Sequence, residues 1–120
     1  MLTVVEGRFD SAAERQIHHY IQAADLPGIA VFNVYAKRRS KSRARQIDAI
    51  IWTPTACVVL EIKGFTQPQS GGLTASANGA WTIDGQPVAI HCLAGEANPF
   101  HQARERIYDL RHHLERELAV

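Results

Sequence analysis

The sequence contains no long hydrophobic run: nothing approaches the roughly 18 apolar residues that a membrane-spanning helix requires. Its opening stretch, MLTVVEGRFD, lacks the basic start and extended apolar core of a secretory signal. These two absences make a cytoplasmic location the expectation. Cysteine is scarce, with Cys57 and Cys92 alone, and neither falls in a CxxC or CxxH spacing. Reduced, small, buried apolar thiols are therefore expected rather than a disulfide framework. Internal repeats and a dividing linker are also missing. With 120 residues, 46% of them hydrophobic and 21% charged, the chain is expected to form one domain over residues 1–120 with one real core.

The net charge of +1 conceals an asymmetry. The run KRRSKSRAR holds Lys37, Arg38, Arg39, Lys41, Arg43 and Arg45, six of the thirteen basic residues. Outside it, seven basic residues face twelve acidic ones, and no acid occurs between Asp25 and Asp48. Such a block is either a solvated loop or a surface for phosphates, with DNA as the expected partner. No aromatic residue is interleaved with these arginines, so base stacking is not indicated there. The six histidines offer no zinc pattern: His18-His19 and His112-His113 are adjacent pairs, which diverge by about 100° on a helix.

Residues 11–25 read as a helix. Ser11 is its cap, Glu14 completes a capping-box pattern, and Ala13, Ile17, Tyr20, Ile21 and Ala24 form its apolar stripe. IAVFNVYA, QIDAIIW and ACVVLEIK are β-branched and apolar enough to be three strands. Residues 66–79 are polar and glycine-bearing, and are expected to be irregular. WTIDGQPV signals a hairpin turning at Asp84-Gly85, with Pro87 confining its second arm to an edge. Asn98-Pro99 supplies a cap and first residue for a last helix carrying Phe100, Ala103, Ile107, Leu110, Leu114 and Leu118 at helical spacing. Trp52 and Trp81 are expected to cover the sheet or core. The order is helix, three strands, hairpin, helix, an α/β or α+β arrangement in which helices flank a sheet.

The second and third strands pose a question: why do Asp48, Glu61 and Lys63 stand among residues that ask to be buried? Folding QIDAIIW onto CVVLEIK about the TPTA turn pairs residues whose numbers sum to 109. Trp52 then faces Cys57, Ile50 faces Val59, and Asp48 faces Glu61. Opposed Cβ atoms lie about 4.5–5.5 Å apart, and like charges at that spacing destabilise a sheet. A divalent cation between the two carboxylates reverses that sign. Hard oxygen ligands, with the Ile62 carbonyl among them, suit Mg²⁺ (or Mn²⁺ in its place). Lys63, two residues on and on the Glu61 face, is then placed to orient a water or to stabilise phosphate charge. The competing reading is a mixed charge pair, Lys63 with Glu61 or Asp48, on a partly solvated sheet face. Glu14 has two readings as well, as the second half of the capping box or as a carboxylate turned toward the sheet. Gln102, beside the stripe of the last helix, has no distinctive signal on its own.

Together these residues carry a resemblance. Helix-borne Glu14, QIDAIIW with Asp48, VVLEIKG with Glu61 and Lys63, and NPFHQA with Gln102 resemble the nuclease-related domain family, NERD, over residues 11–114. That family is similar to the PD-(D/E)xK superfamily, and its acidic pattern is similar to that of archaeal Holliday-junction resolvases. The resemblance implies a restriction-endonuclease-like core: helix, three-stranded antiparallel meander, hairpin and helix, in a mixed sheet flanked by helices. It also implies Mg²⁺-dependent hydrolysis of DNA phosphodiester bonds in DNA processing or repair. Asp48 and Glu61 would be metal ligands, Glu14 a further ligand, Lys63 the base or electrostatic stabiliser, and Gln102 a supporting group. The superfamily's last core strand has no candidate after Leu118. NERD domains are often fused to helicase or kinase-like parts, so a helicase-like partner is a further expectation, as is a homodimer through an edge strand or the last helix. The alternative function is a catalytically inactive module that keeps the fold and binds DNA or a protein.

Overall fold

The computed structural model describes residues 1–9, 11–37, 44–90 and 98–118. A four-stranded sheet has the order β1 (Leu2–Val5), β2 (Ile29–Lys37), β3 (Ala44–Trp52) and β4 (Cys57–Leu60). Helix α1 (Ala12–Ala23) connects β1 to β2, which run parallel, and β2, β3 and β4 form an antiparallel meander. A second, small sheet has the order β5 (Leu73–Thr74), β6 (Thr82–Ile83) and β7 (Gln86–Pro87), and α2 (Pro99–Glu117) closes the described chain. The expected mixed α/β architecture is thus observed. Among the described residues no helix is long and apolar enough to cross a membrane.

The two helices cover opposite faces of the main sheet. Ala30, Phe32 and Ala49 are buried with Ile17 and Ile21 of α1, joined by Leu60 and Ile62. Ile47 and Ile50 are buried with Leu110 of α2, joined by Val34, Val59 and Leu114. Gly28, which leads into β2 at φ +128°, lies so close to the Trp52 carbonyl that a Cβ there would stand 2.2 Å from its oxygen.

Local chemistry sets the ends of these elements. The Ser11 hydroxyl accepts the Glu14 amide at 3.2 Å, so the expected cap forms, and α1 starts one residue later and ends two earlier than the expected 11–25 span. Asn98 caps α2, its Oδ1 accepting the Phe100 amide at 3.0 Å with Pro99 in the first position. Its Nδ2 donates to the carbonyls of Ser76 (3.2 Å) and Gly79 (2.7 Å), so one buried side chain also fastens α2 to the segment before β6. The β6–β7 hairpin turns at Asp84 (φ 48°) and Gly85 (φ 80°), the two left-handed positions that an Asp-Gly turn favours. Pro87 lies on an edge strand, as expected.

Several expectations need correction. β1 was not anticipated, because its four residues pair in parallel with a strand more than twenty positions away and carry no hairpin signal. Residues 66–79 are not wholly irregular, since Leu73 and Thr74 pair with β6. Tyr20 is exposed although it falls on the α1 stripe. In α2 the inward face holds Arg106, Asp109 and Leu110, while Phe100, Ile107 and Leu118 are exposed. Cys57 is a free thiol on the edge strand and is exposed, not buried; Cys92 lies outside the described residues. Trp52 is also exposed, whereas Trp81 is partly covered and donates its indole N–H to the Ser76 carbonyl at 2.9 Å.

Asn98→Ala removes the α2 cap together with two bonds to the neighbouring segment. It is expected to lower unfolding free energy by about 2–3 kcal/mol, measured by urea denaturation, since a cap contributes ~1 kcal/mol and each lost bond about as much.

Candidate active site

The β3–β4 register is the one expected: Trp52 pairs with Cys57, Ile51 with Val58, Ile50 with Val59 and Ala49 with Leu60. The ladder stops at Leu60, so Glu61 leaves the sheet one level before it would pair with Asp48. Asp48 nonetheless remains joined to that segment, its Oδ2 accepting the Ile62 amide at 2.8 Å. Alternation beyond β4 holds as well. Leu60 and Ile62 pack on the α1 side, and Lys63 turns to α2, its Nζ donating to Gln102 Oε1 at 3.0 Å. Regular alternation does not hold along β3, because Ile47 and Ile50, three apart, fall in one cluster.

Six residues singled out from the sequence line a single open cleft of ≈ 570 Å³: Glu14, Asp48, Glu61, Ile62, Lys63 and Gln102. Ser11, Ala12 and Ala13, at the start of α1, form one wall, and Phe65 and Thr66 form part of another. The cleft opens where β4 ends, so α1 from one face of the sheet and α2 from the other both reach it. Glu14 is only 7% exposed, which answers the question of its direction: it faces the interior rather than water.

The electrostatics are those of a crowded acid pair. The Glu61 side chain is 6% exposed and makes an ion pair with Lys63 Nζ at 3.0 Å. Burial pushes the Glu61 carboxyl above the usual carboxylate range, and the charge of Asp48 pushes it the same way. Lys63 and, more weakly, Arg106 pull it back without overcoming them. Both halves of the open question from the sequence therefore apply at once: a Lys63–Glu61 pair exists, and Asp48 is near enough for its charge to oppose ionisation of the same carboxyl.

The donor set is compatible with Mg²⁺ or Mn²⁺. It consists of hard carboxylate oxygens with excess negative charge, and Mg²⁺ needs only one or two carboxylates because it retains waters and takes phosphate oxygens. Among the described residues, no three His, Cys, Asp or Glu side chains are gathered into a ready-made cation cage. Ile62 is present through its amide, which holds Asp48. The backbones of Lys37 and Arg45 lie at the far end of the β2–β3 ladder, whereas Arg38, Arg39, Lys41 and Arg43 lie outside the described residues.

Sequence reasoning missed two residues that bear on this cleft. Arg106 is 6% exposed, and its standing charge reaches Glu61; as an arginine amid an apolar helical pattern it could have been flagged as a charge on the wrong face. Asn33, 2% exposed, has a left-handed φ of 60° in the middle of β2, at the level of Asp48. An asparagine inside an otherwise apolar and aromatic strand was the available signal.

The raised Glu61 pKa has a definite sign in stability. A folded state that holds this proton more tightly than the unfolded chain gains from it at low pH, and loses that gain as pH rises through the folded pKa. Glu61→Gln is therefore expected to gain in melting temperature over metal-free wild type as pH climbs past the ordinary value of 4.5, levelling off above the folded pKa. Thermal scans from pH 4 to pH 8 in chelator would test it, and a constant difference across that range would contradict the assignment.

Comparison with curated proteins and with solved structures gave no match. The model of the nuclease-related domain matches residues 10–120, nearly the whole chain and every residue of the cleft. The chain belongs to the nuclease-related domain family, NERD.

Proposed function

We propose that this domain is a divalent-cation-dependent DNA phosphodiesterase of the PD-(D/E)xK type. The observation that carries the reading is the convergence of Asp48, Glu61 and Lys63 on one cleft, with the two acids close enough for one to raise the pKa of the other. Asp48 and Glu61 are the residues to hold Mg²⁺ or Mn²⁺, with Glu14 as a further carboxylate and the Ile62 carbonyl as a neutral oxygen. Bound there, the cation supplies Lewis-acid polarisation of the scissile phosphate and lowers the pKa of a water.

The chain's own groups do the rest. Lys63 has three N–H donors, and Glu61 and Gln102 take two of them at 3.0 Å each. Held from both sides, the ammonium stays at the cleft with a third donor for the attacking water or a phosphoryl oxygen. Its charge offsets the negative charge that grows during in-line attack. Gln102 positions Lys63 from α2. The basic run fits an attachment role: the Arg45 backbone is three residues from Asp48 along β3, about 10 Å at ~3.3 Å per residue.

One observation favours a second reading, an inactive module that binds DNA or a protein. Lys63 is already engaged by both Glu61 and Gln102. Calorimetry separates the two readings. Under the first, Mg²⁺ or Mn²⁺ titrates into wild type, and Asp48→Asn weakens binding by about tenfold or more, the loss expected when one carboxylate ligand is neutralised. Cleavage of plasmid or branched DNA should fall about 10²-fold or more in Asp48→Ala and Lys63→Ala. Equal cleavage by all three proteins, or heat-silent titration of wild type, sinks the enzyme reading.

Reversing charge at Arg38, Arg39 and Arg43 together should remove DNA retention under either reading. Wild-type affinity should fall steeply between 50 and 200 mM salt, as counterion release requires, and a flat salt response would rule out phosphate contact.

A further inference from the structure

Asn33 departs from its strand more than any other residue of the main sheet. The β2–β3 ladder pairs Phe32 with Ala49 and then Val34 with Ile47, stepping over Asn33 and Asp48. Phe32 and Ala49 lie in the α1-side cluster, yet Val34 and Ile47, two residues further along each strand, pack with the α2 side. In a regular strand residues two apart share a face. Both strands therefore exchange faces at this one level. The left-handed backbone of Asn33, φ 60°, lies at the exchange.

The side chain of Asn33 holds the irregularity in place. Its Nδ2 donates to the carbonyl of Arg8, and its Oδ1 accepts from Gln46 Nε2. The three segments joined are the approach to α1, β2 and β3. A left-handed backbone is unfavourable for an ordinary L-residue, and asparagine tolerates it better than most. Such a conformation persists only where its surroundings over-determine it, and such sites gather where geometry matters to function.

We infer that Asn33 is a positioning residue for Asp48. Its left-handed backbone and two side-chain tethers set the face exchange in β3, and that exchange aims the Asp48 carboxylate at the Ile62 amide and the Glu61 segment. The inference rests on the proposed function only for its catalytic consequence; the aim of the carboxylate has a readout of its own.

That readout is hydrogen exchange at the Ile62 amide, which donates to Asp48 Oδ2 at 2.8 Å. Asn33→Gly permits the positive φ while deleting both tethers. In metal-free protein it should speed exchange at Ile62 by about tenfold, toward the rate in Asp48→Ala, while amides of the β3–β4 ladder keep their protection. Unchanged exchange at Ile62, or uniform acceleration of all sheet amides, would overturn the inference, the latter because it is what a merely structural residue produces. Should Asn33→Gly not fold, Gln46→Leu decides: it leaves residue 33 intact, removes one tether, and should speed Ile62 selectively by a smaller factor, whereas no selective change overturns the inference. Mn²⁺ affinity by calorimetry separates the two levels. A selective Ile62 response in a protein that binds no Mn²⁺ sustains the positioning role and removes the proposed enzyme.

Discussion

The repulsion between Asp48 and Glu61 is the constraint around which this fold is arranged. Burial first, and the charge of Asp48 second, raise the Glu61 pKa, and that rise registers the cost of holding a carboxylate there. A domain of this size has about 5–15 kcal/mol of net stability, so a strained acid pair is not a small concession. The surroundings oppose the strain without abolishing it. The Ile62 amide holds Asp48, Lys63 pairs with Glu61, and the Arg106 guanidinium adds positive potential at Glu61. Partial compensation differs from a closed salt bridge: it leaves excess negative charge that a cation can satisfy.

Helix α2 explains how that compensation is held steady. Its inward face carries charge where an ordinary amphipathic helix carries leucine, with Arg106 and Asp109 buried beside Leu110. From that face Arg106 lends positive charge that favours the ionised Glu61 carboxylate. One turn earlier, Gln102 reaches Lys63. The helix start is fastened by Asn98 to the Ser76 and Gly79 carbonyls, so the small second sheet acts as a brace for α2. A shift of the α2 start is thereby coupled, through Gln102, to the position of the ammonium group.

Much of this was legible in the sequence where local rules decide the outcome. The β3–β4 register followed from an even turn and a period of two, and it holds as far as Ala49 and Leu60, the residues next to Asp48 and Glu61. Caps at Ser11 and Asn98 and the turn at Asp84-Gly85 were equally readable, because each is specified within a few residues. What escaped was decided by distant partners. Leu2–Val5 becomes a strand only because β2 lies beside it in parallel. Phe100 and Ile107 match the helical stripe yet are exposed, since the contact surface of α2 is turned toward Arg106 and Asp109. Asn33 looked like one polar residue in an apolar strand; its left-handed φ depends on Arg8 and Gln46 at once. The basic run could be read for charge but lies largely outside the described residues.

The cleft requires both irregularities of the sheet. Were β4 to continue pairing past Leu60, Glu61 and Lys63 would be locked into the ladder and the sheet would separate α1 from α2 completely. Because it stops, the edge opens, and Glu14 from one layer and Gln102 from the other can line the same space. A regular β3 would in turn restrict Asp48 to the surface of a single layer. The exchange of faces at Asn33 and Asp48 places that carboxylate between layers, where the end of β4 passes. Each defect alone would cost ladder bonds without forming a site. Their coincidence at one level of the sheet is what turns an ordinary helix-flanked meander into a pocket in which two acids and an ammonium group must coexist.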